Sequence, residues 1–178
     1  MARYSFPSIA LVFAGVLLAV APDGRAEISG SAGRAPNYVG MLDLANGDRC
    51  EVSIQVERVS FLLTSVANKY RFVRMLVNCG KQTGLTLSSA ADRLEMTIEK
   101  RTVPAVLSLQ KSDSALWDSL DLNMRQTLAY PPAIKPNEPV YVFGFFPADQ
   151  VNAMPASFTL TIASLGRSVT LQVRVALA

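Results

Sequence analysis

Histidine is absent from all 178 residues. With it go the commonest general base, proton shuttle and zinc ligand. Neither a Ser-His-Asp nor a Cys-His nucleophile can be assembled, and His-ligated zinc, iron and type-I copper sites are excluded. No GxGxxG, phosphate-loop or Gly-x-Ser-x-Gly pattern occurs. Long charge runs are also missing, the longest basic one being Lys100-Arg101. Nothing in the chain would track a phosphate backbone, so nucleic acid is not an expected partner. The longest early apolar run, Ile9 to Val20, covers twelve residues, short of the roughly 20 needed to span a bilayer.

That run has another use. Arg3 precedes it, and a short, more polar stretch from Ala21 to Ala26 follows. This is the layout of a secretory signal peptide. Ala19-Val20-Ala21 offers a cleavage site followed by the unfavourable Pro22; Gly24-Arg25-Ala26, leaving Glu27 first, is preferred. The division expected is 1–26 signal peptide, 27–37 flexible N-terminal arm and 38–178 a single domain. Removing 26 of the 178 residues leaves 152, with 15 basic and 13 acidic once Arg3, Arg25 and Asp23 are gone. That length suits one domain burying roughly 70% of its unfolded surface. The expected location is periplasmic or secreted, with no stable transmembrane anchor after cleavage.

Cys50 and Cys79 are the only cysteines. Both sit on the apolar face of strand-like segments, and an even count in an exported chain points to a disulfide.

Period-2 alternation dominates the rest. Phe158, Leu160 and Ile162, then Val169, Leu171 and Val173, alternate with polar residues around Leu165-Gly166. This reads as a hairpin pairing Ile162 with Val169, Leu160 with Leu171 and Phe158 with Val173. Cys50, Val52, Ile54 and Val56 alternate likewise after a turn at Asn46-Gly47-Asp48, read as a three-residue loop setting Leu44 opposite Cys50 and Leu42 opposite Val52. Val59–Val66 reads as an irregular strand or crossover. Val73, Met75, Val77 and Cys79 form one strand face, as do Leu94, Met96 and Ile98. Val106–Leu109 reads as a further strand. Ser112–Leu122 is the one helical candidate, capped by Ser112 or Asp113 and extended after Leu120. Prolines 131, 132, 136 and 139 make Tyr130–Pro139 a stiff connection. The fold expected is all-β: an antiparallel two-layer β-sandwich of immunoglobulin-like architecture with at most one short helix. The alternative is a closed β-barrel, which needs the first and last strands to pair.

Of the remaining chemistry, Asp113, Asp118 and Asp121 around Trp117 read as a capped, solvated turn rather than an acid/base pair. Methionines 41, 75, 96, 124 and 154 read as packing rather than as Cu(I) ligands. No catalytic residue, metal or cofactor is therefore expected. The most unusual stretch is Val140 to Phe146, apolar on both faces and uncharged. Tyr141, Phe143 and Phe145 share one of its faces. With Trp117 they are the candidate partner-binding residues, although a strand covered on both sides has the same composition. The function expected is a non-catalytic exported module that binds another exported or envelope protein. The alternatives are a carrier of a small apolar ligand and a structural subunit of a surface assembly. The sequence leaves oligomeric state open.

Overall fold

The computed structural model describes residues 37–56, 64–80 and 84–173. The leader and most of the arm read from the sequence lie outside these residues, as do 59–63 of the stretch read as an irregular strand or crossover, whose described end, Thr64–Val66, is helical. Ten strands are described. They are β1 (Asn37–Asp43), β2 (Arg49–Val56), β3 (Tyr70–Cys79), β4 (Leu85–Thr86), β5 (Arg93–Ile98), β6 (Arg101–Pro104), β7 (Ala133–Ile134), β8 (Val140–Pro147), β9 (Ser157–Ile162) and β10 (Arg167–Val173). Eight of them form one antiparallel sheet in the order β6-β5-β9-β10-β1-β2-β3-β8, while β4 and β7 pair separately. The all-β antiparallel architecture follows from the alternation.

β1 and β10 pair through Tyr38↔Val173 and Val39↔Gln172, the condition the barrel alternative sets. The two ends of the sheet also meet. Val106, just past β6, exchanges backbone hydrogen bonds with Phe145 of β8 at 2.7 and 3.0 Å. The sheet is thus nearly closed, and a single core fills it. Tyr38, Phe146 and Phe158 are fully buried there. The Phe146 ring lies 6.1 Å from Phe158, on a strand that is not its sheet neighbour, and Tyr38 meets Phe158 edge-on at 4.7 Å. The Tyr38 hydroxyl donates to the Pro155 carbonyl at 2.6 Å, satisfying the only polar atom of that ring.

Cys50 and Cys79 are disulfide-bonded and directly opposite each other on β2 and β3. In both hairpins the faces match the sequence pattern, but the register differs from expectation by two residues. Leu42, not Leu44, pairs with Cys50. Val169 pairs with Leu160 and Leu171 with Phe158. The left-handed residue that each turn requires explains both shifts. Gly47 (φ 86°) and Gly166 (φ 59°) are the last residues of their turns, so each turn closes one position earlier than a loop centred by face matching alone.

Helical content exceeds the single short helix expected. Among the described residues four α-helices occur, α1 (Thr64–Lys69), α2 (Leu109–Ser112), α3 (Ser114–Ser119) and α4 (Leu122–Leu128), besides 3-10 turns at Ala148–Gln150 and Ala163–Leu165. Asp113 caps α3 by accepting from the Leu116 N–H, and Asp121 caps α4 by accepting from Met124. The second cap restarts a helix where the alternation of Leu120, Leu122 and Met124 suggests extended chain. Val106 makes only an isolated bridge before α2 begins, so the strand read over Val106–Leu109 is absent, and β6 lies earlier. These helices cover a second apolar cluster of Val66, Phe72, Leu109, Leu116, Trp117, Leu120, Leu128 and Phe145.

Two measurements test this packing. A Cβ added at Gly144 would lie 2.5 Å from Leu94 Cδ2, across the closure. Gly144→Ala is expected to cost about 1–3 kcal/mol by overpacking, read from urea unfolding; an unchanged midpoint would mean the seam is looser than described. Replacing both cysteines by alanine is expected to lower stability by about 3–4 kcal/mol for a loop of this size, with the fold retained by circular dichroism.

Candidate functional site

β8 explains itself residue by residue. Alternate side chains point to opposite faces. Val142 and Phe146 are buried in the main core, with Val140 packed against it. Tyr141, Phe143 and Phe145 face outward, as the sequence pattern predicts, but their surroundings differ. Phe145 is fully buried, against Phe72 at 6.4 Å and Tyr70 at 6.2 Å. Phe143 is half-buried, with Phe72 at 6.5 Å. Tyr141 is 54% exposed. Trp117 is 9% exposed and lies in the cluster with Phe145. The four candidate residues therefore do not form one open surface. Trp117 and Phe145 are interior, because the helices fold over that end of β8. Tyr141 and the edge of Phe143 remain accessible. The Arg74 guanidinium sits over the Tyr141 ring, 5.1 Å from its centre, and bonds Gln55 at 2.8 Å.

The backbone of this half-strand is the less expected feature. Antiparallel residues alternate between exchanging hydrogen bonds with a neighbour and facing away from it. Phe145 directs its N–H and C=O to Val106, away from β3. By the same alternation Tyr141 and Phe143 direct theirs off that side, while Val140, Val142 and Gly144 face β3. Among the described residues none bonds the outward groups of Tyr141 and Phe143. The chain that would continue beside them turns away into α2.

The acidic cluster resolves into caps. Asp113 and Asp121 begin helices, and Asp118 is exposed. Lys69 Nζ lies 2.8 Å from Asp113. That bond, followed by the Leu116 N–H, holds the Asp113 carboxyl below its usual range, and the same bond raises Lys69. Among the described residues no group of three or more His, Cys, Asp or Glu is placed to hold a metal. Met75 and Met96 are core residues, whereas Met41 and Met154 are exposed.

Asp92 carries no signal in the sequence. It is the one buried charged residue among those described, at 5% exposure. Its carboxylate accepts from the Ser88 N–H (2.7 Å), the Tyr130 hydroxyl (2.9 Å) and the Ala163 N–H (2.8 Å). Burial first, then this bond and its charge, push the Tyr130 hydroxyl far above its normal range. Asp92 ties its own turn, through Ser88, to two distant segments, and its acceptor sites are engaged by them.

Two clefts flank Ser89. One, of about 250 Å³, is lined by Asp92, Arg93, Glu95 and Pro104 among others. The second, of about 130 Å³, lies between α2 and the Leu128–Tyr130 segment, with Trp117 in its wall.

No family model, curated protein or solved structure matches the chain. The site is therefore argued from its own geometry. Among the described residues no helix is long and apolar enough to cross a membrane.

Two outcomes follow from the polar contacts. Asp92→Ala leaves the part-buried N–H groups of Ser88 and Ala163 and the Tyr130 hydroxyl without this acceptor, an expected loss of about 1–3 kcal/mol by chemical denaturation. The lowered Asp113 contributes stability that is complete above about pH 4, its unfolded value, and is lost as pH falls through the lower folded value. Asp113→Asn is expected to flatten that acid limb of the stability–pH curve; an identical limb in the variant would assign it to other carboxylates.

Proposed function

We propose that this chain is an exported, non-catalytic module that binds another protein by taking an extended segment onto the free half of β8. The signal-peptide layout of residues 1–26 supports export to the periplasm or beyond. The Cys50–Cys79 disulfide fits an oxidising compartment. The observation that carries the binding reading is that the outward N–H and C=O of Tyr141 and Phe143 have no partner among the described residues, beside an exposed aromatic ring. A strand-end pair of this kind templates another strand, whose main chain supplies affinity and whose alternate side chains supply selectivity. Tyr141 is the anchor. It is large and exposed, and Arg74 fixes its ring from one side. Phe143 supplies a second, shallower contact. Trp117 and Phe145 act from beneath, holding the strand in place.

The experiment is capture from an envelope extract of the source cells, followed by crosslinking from position 141. Tyr141→Pro removes one outward N–H while the bonds to β3 stay in place, and Tyr141→Ala removes the ring. Both variants are expected to lose the partner at least tenfold while retaining the wild-type melting temperature. A partner held equally by both would place the interface elsewhere.

A further inference from the structure

The smaller cleft has a chemical bias that the larger one lacks. The larger cleft carries charges of both signs, Arg93 and Glu95, and so selects poorly. In the smaller one, Leu109, Trp117 and Leu128 provide apolar wall, all three at least nine-tenths buried. Ser108, Gln110 and Lys111 provide the polar side. Among the described residues none of these three side chains has a hydrogen-bond or ion-pair partner. Lys111 is the only charged residue in the lining. Tyr130 also lines it, but its hydroxyl is committed to Asp92. The polar side therefore offers ammonium, amide and hydroxyl donors together and no carboxylate to repel an anion.

We infer that this cleft binds a small carboxylate with a compact apolar body, the carboxylate on Lys111 and the body against Trp117. About 130 Å³ is the share of roughly four waters in the liquid, at ~30 Å³ each, so a single ring with one anionic group is the size that fits. Apolar wall and polar donors at opposite sides give the ligand one orientation. The cation sets the sign of charge accepted, and its exposure makes the attraction weaken with salt. Trp117 is common to this site and the β8 edge, as a wall of the cleft and as support beneath β8, but no β8 residue lines the cleft and neither reading depends on the other.

Trp117 is the only tryptophan in the chain, so native emission excited at its red edge reports on the cleft directly. Cyclohexanecarboxylate, which does not absorb there, is the probe, and cyclohexanecarboxamide is its uncharged counterpart. The expected result is a saturable change in emission with the carboxylate, with a Kd on the order of 1 mM for a ligand so small. The carboxamide is expected to bind at least fivefold more weakly. Lys111→Gln, an exposed and unpaired position whose replacement leaves the fold intact by circular dichroism, is expected to weaken the carboxylate at least fivefold and leave the carboxamide unchanged. Three results would overturn the assignment: no saturable change with the carboxylate up to about fifty times that Kd, equal binding of the two probes, or undiminished carboxylate binding by Lys111→Gln.

Discussion

One residue pair closes this molecule. Val106 and Phe145 exchange the two hydrogen bonds that join the ends of an eight-stranded sheet. Phe145 then does a second thing with its side chain: it stands at the centre of the outer cluster under the helices. Its neighbour Phe146 points the other way and packs on Phe158 in the main core. Two consecutive residues thus feed two cores, because a strand sends alternate side chains to opposite faces. Gly144 beside them has no side chain, and Leu94 from β5 occupies the space a Cβ would take. Closure, inner packing and outer cover all converge within three residues of β8.

The same convergence explains why the rest of β8 is open. After Val106 the chain leaves the sheet, and by Leu109 it is helical. To continue beside Phe143 and Tyr141 it would have to give up the helices that bury Phe145, Phe72 and Trp117. Burying aromatic side chains of this size is worth a few kcal/mol each, more than the roughly 1 kcal/mol net of each ladder bond forgone. The outward groups of Tyr141 and Phe143 face the side vacated by that exchange. Free edges invite association, and this one carries no charged residue of its own. Only Arg74, over the Tyr141 ring, lies close on the strand behind it.

How much of this was legible in the sequence differs from residue to residue. Alternation reports parity, so the core faces read from it are buried, Leu94, Met96 and Ile98 on β5 and Phe158, Leu160 and Ile162 on β9, except at the end of β10, where Val173 is 42% exposed. Parity does not report register, which the positive-φ residue of each turn decides; Gly47 and Gly166 move both hairpins by two. The Cys50–Cys79 pair was legible because both cysteines sit on apolar faces of strands. Helices were the weak point. Leu120, Leu122 and Met124 satisfy a strand period, and only the cap at Asp121 shows that they do not form one. At the site, Tyr141, Phe143 and Phe145 share a face as the alternation indicates, and their composition fits a covered strand as well as an open one; which of the three lies under cover was not legible. Trp117 and Phe145 meet across 28 positions of sequence, beyond the reach of any local pattern. Asp92 was invisible for the same reason: its bond to Ser88 is a local turn contact, but Tyr130 and Ala163 reach it only in the fold.

The open stretch is held at both ends. Phe145 and the helices anchor it on one side. On the other, β3 runs past it to Cys79, three residues beyond the Leu76 that pairs with Tyr141. The disulfide joins strands that are already neighbours, so it creates no new adjacency in the folded state. Its effect falls on the unfolded chain and on the freedom of β3 to fray at that end. An edge that is fixed before it meets a partner loses little further entropy on docking, and that is the term which most often weakens association through extended segments. The staple and the helical cover thus act on the same few residues from opposite ends. Between them lies a short length of backbone whose outward hydrogen-bonding groups, at Tyr141 and Phe143, meet no partner among the described residues.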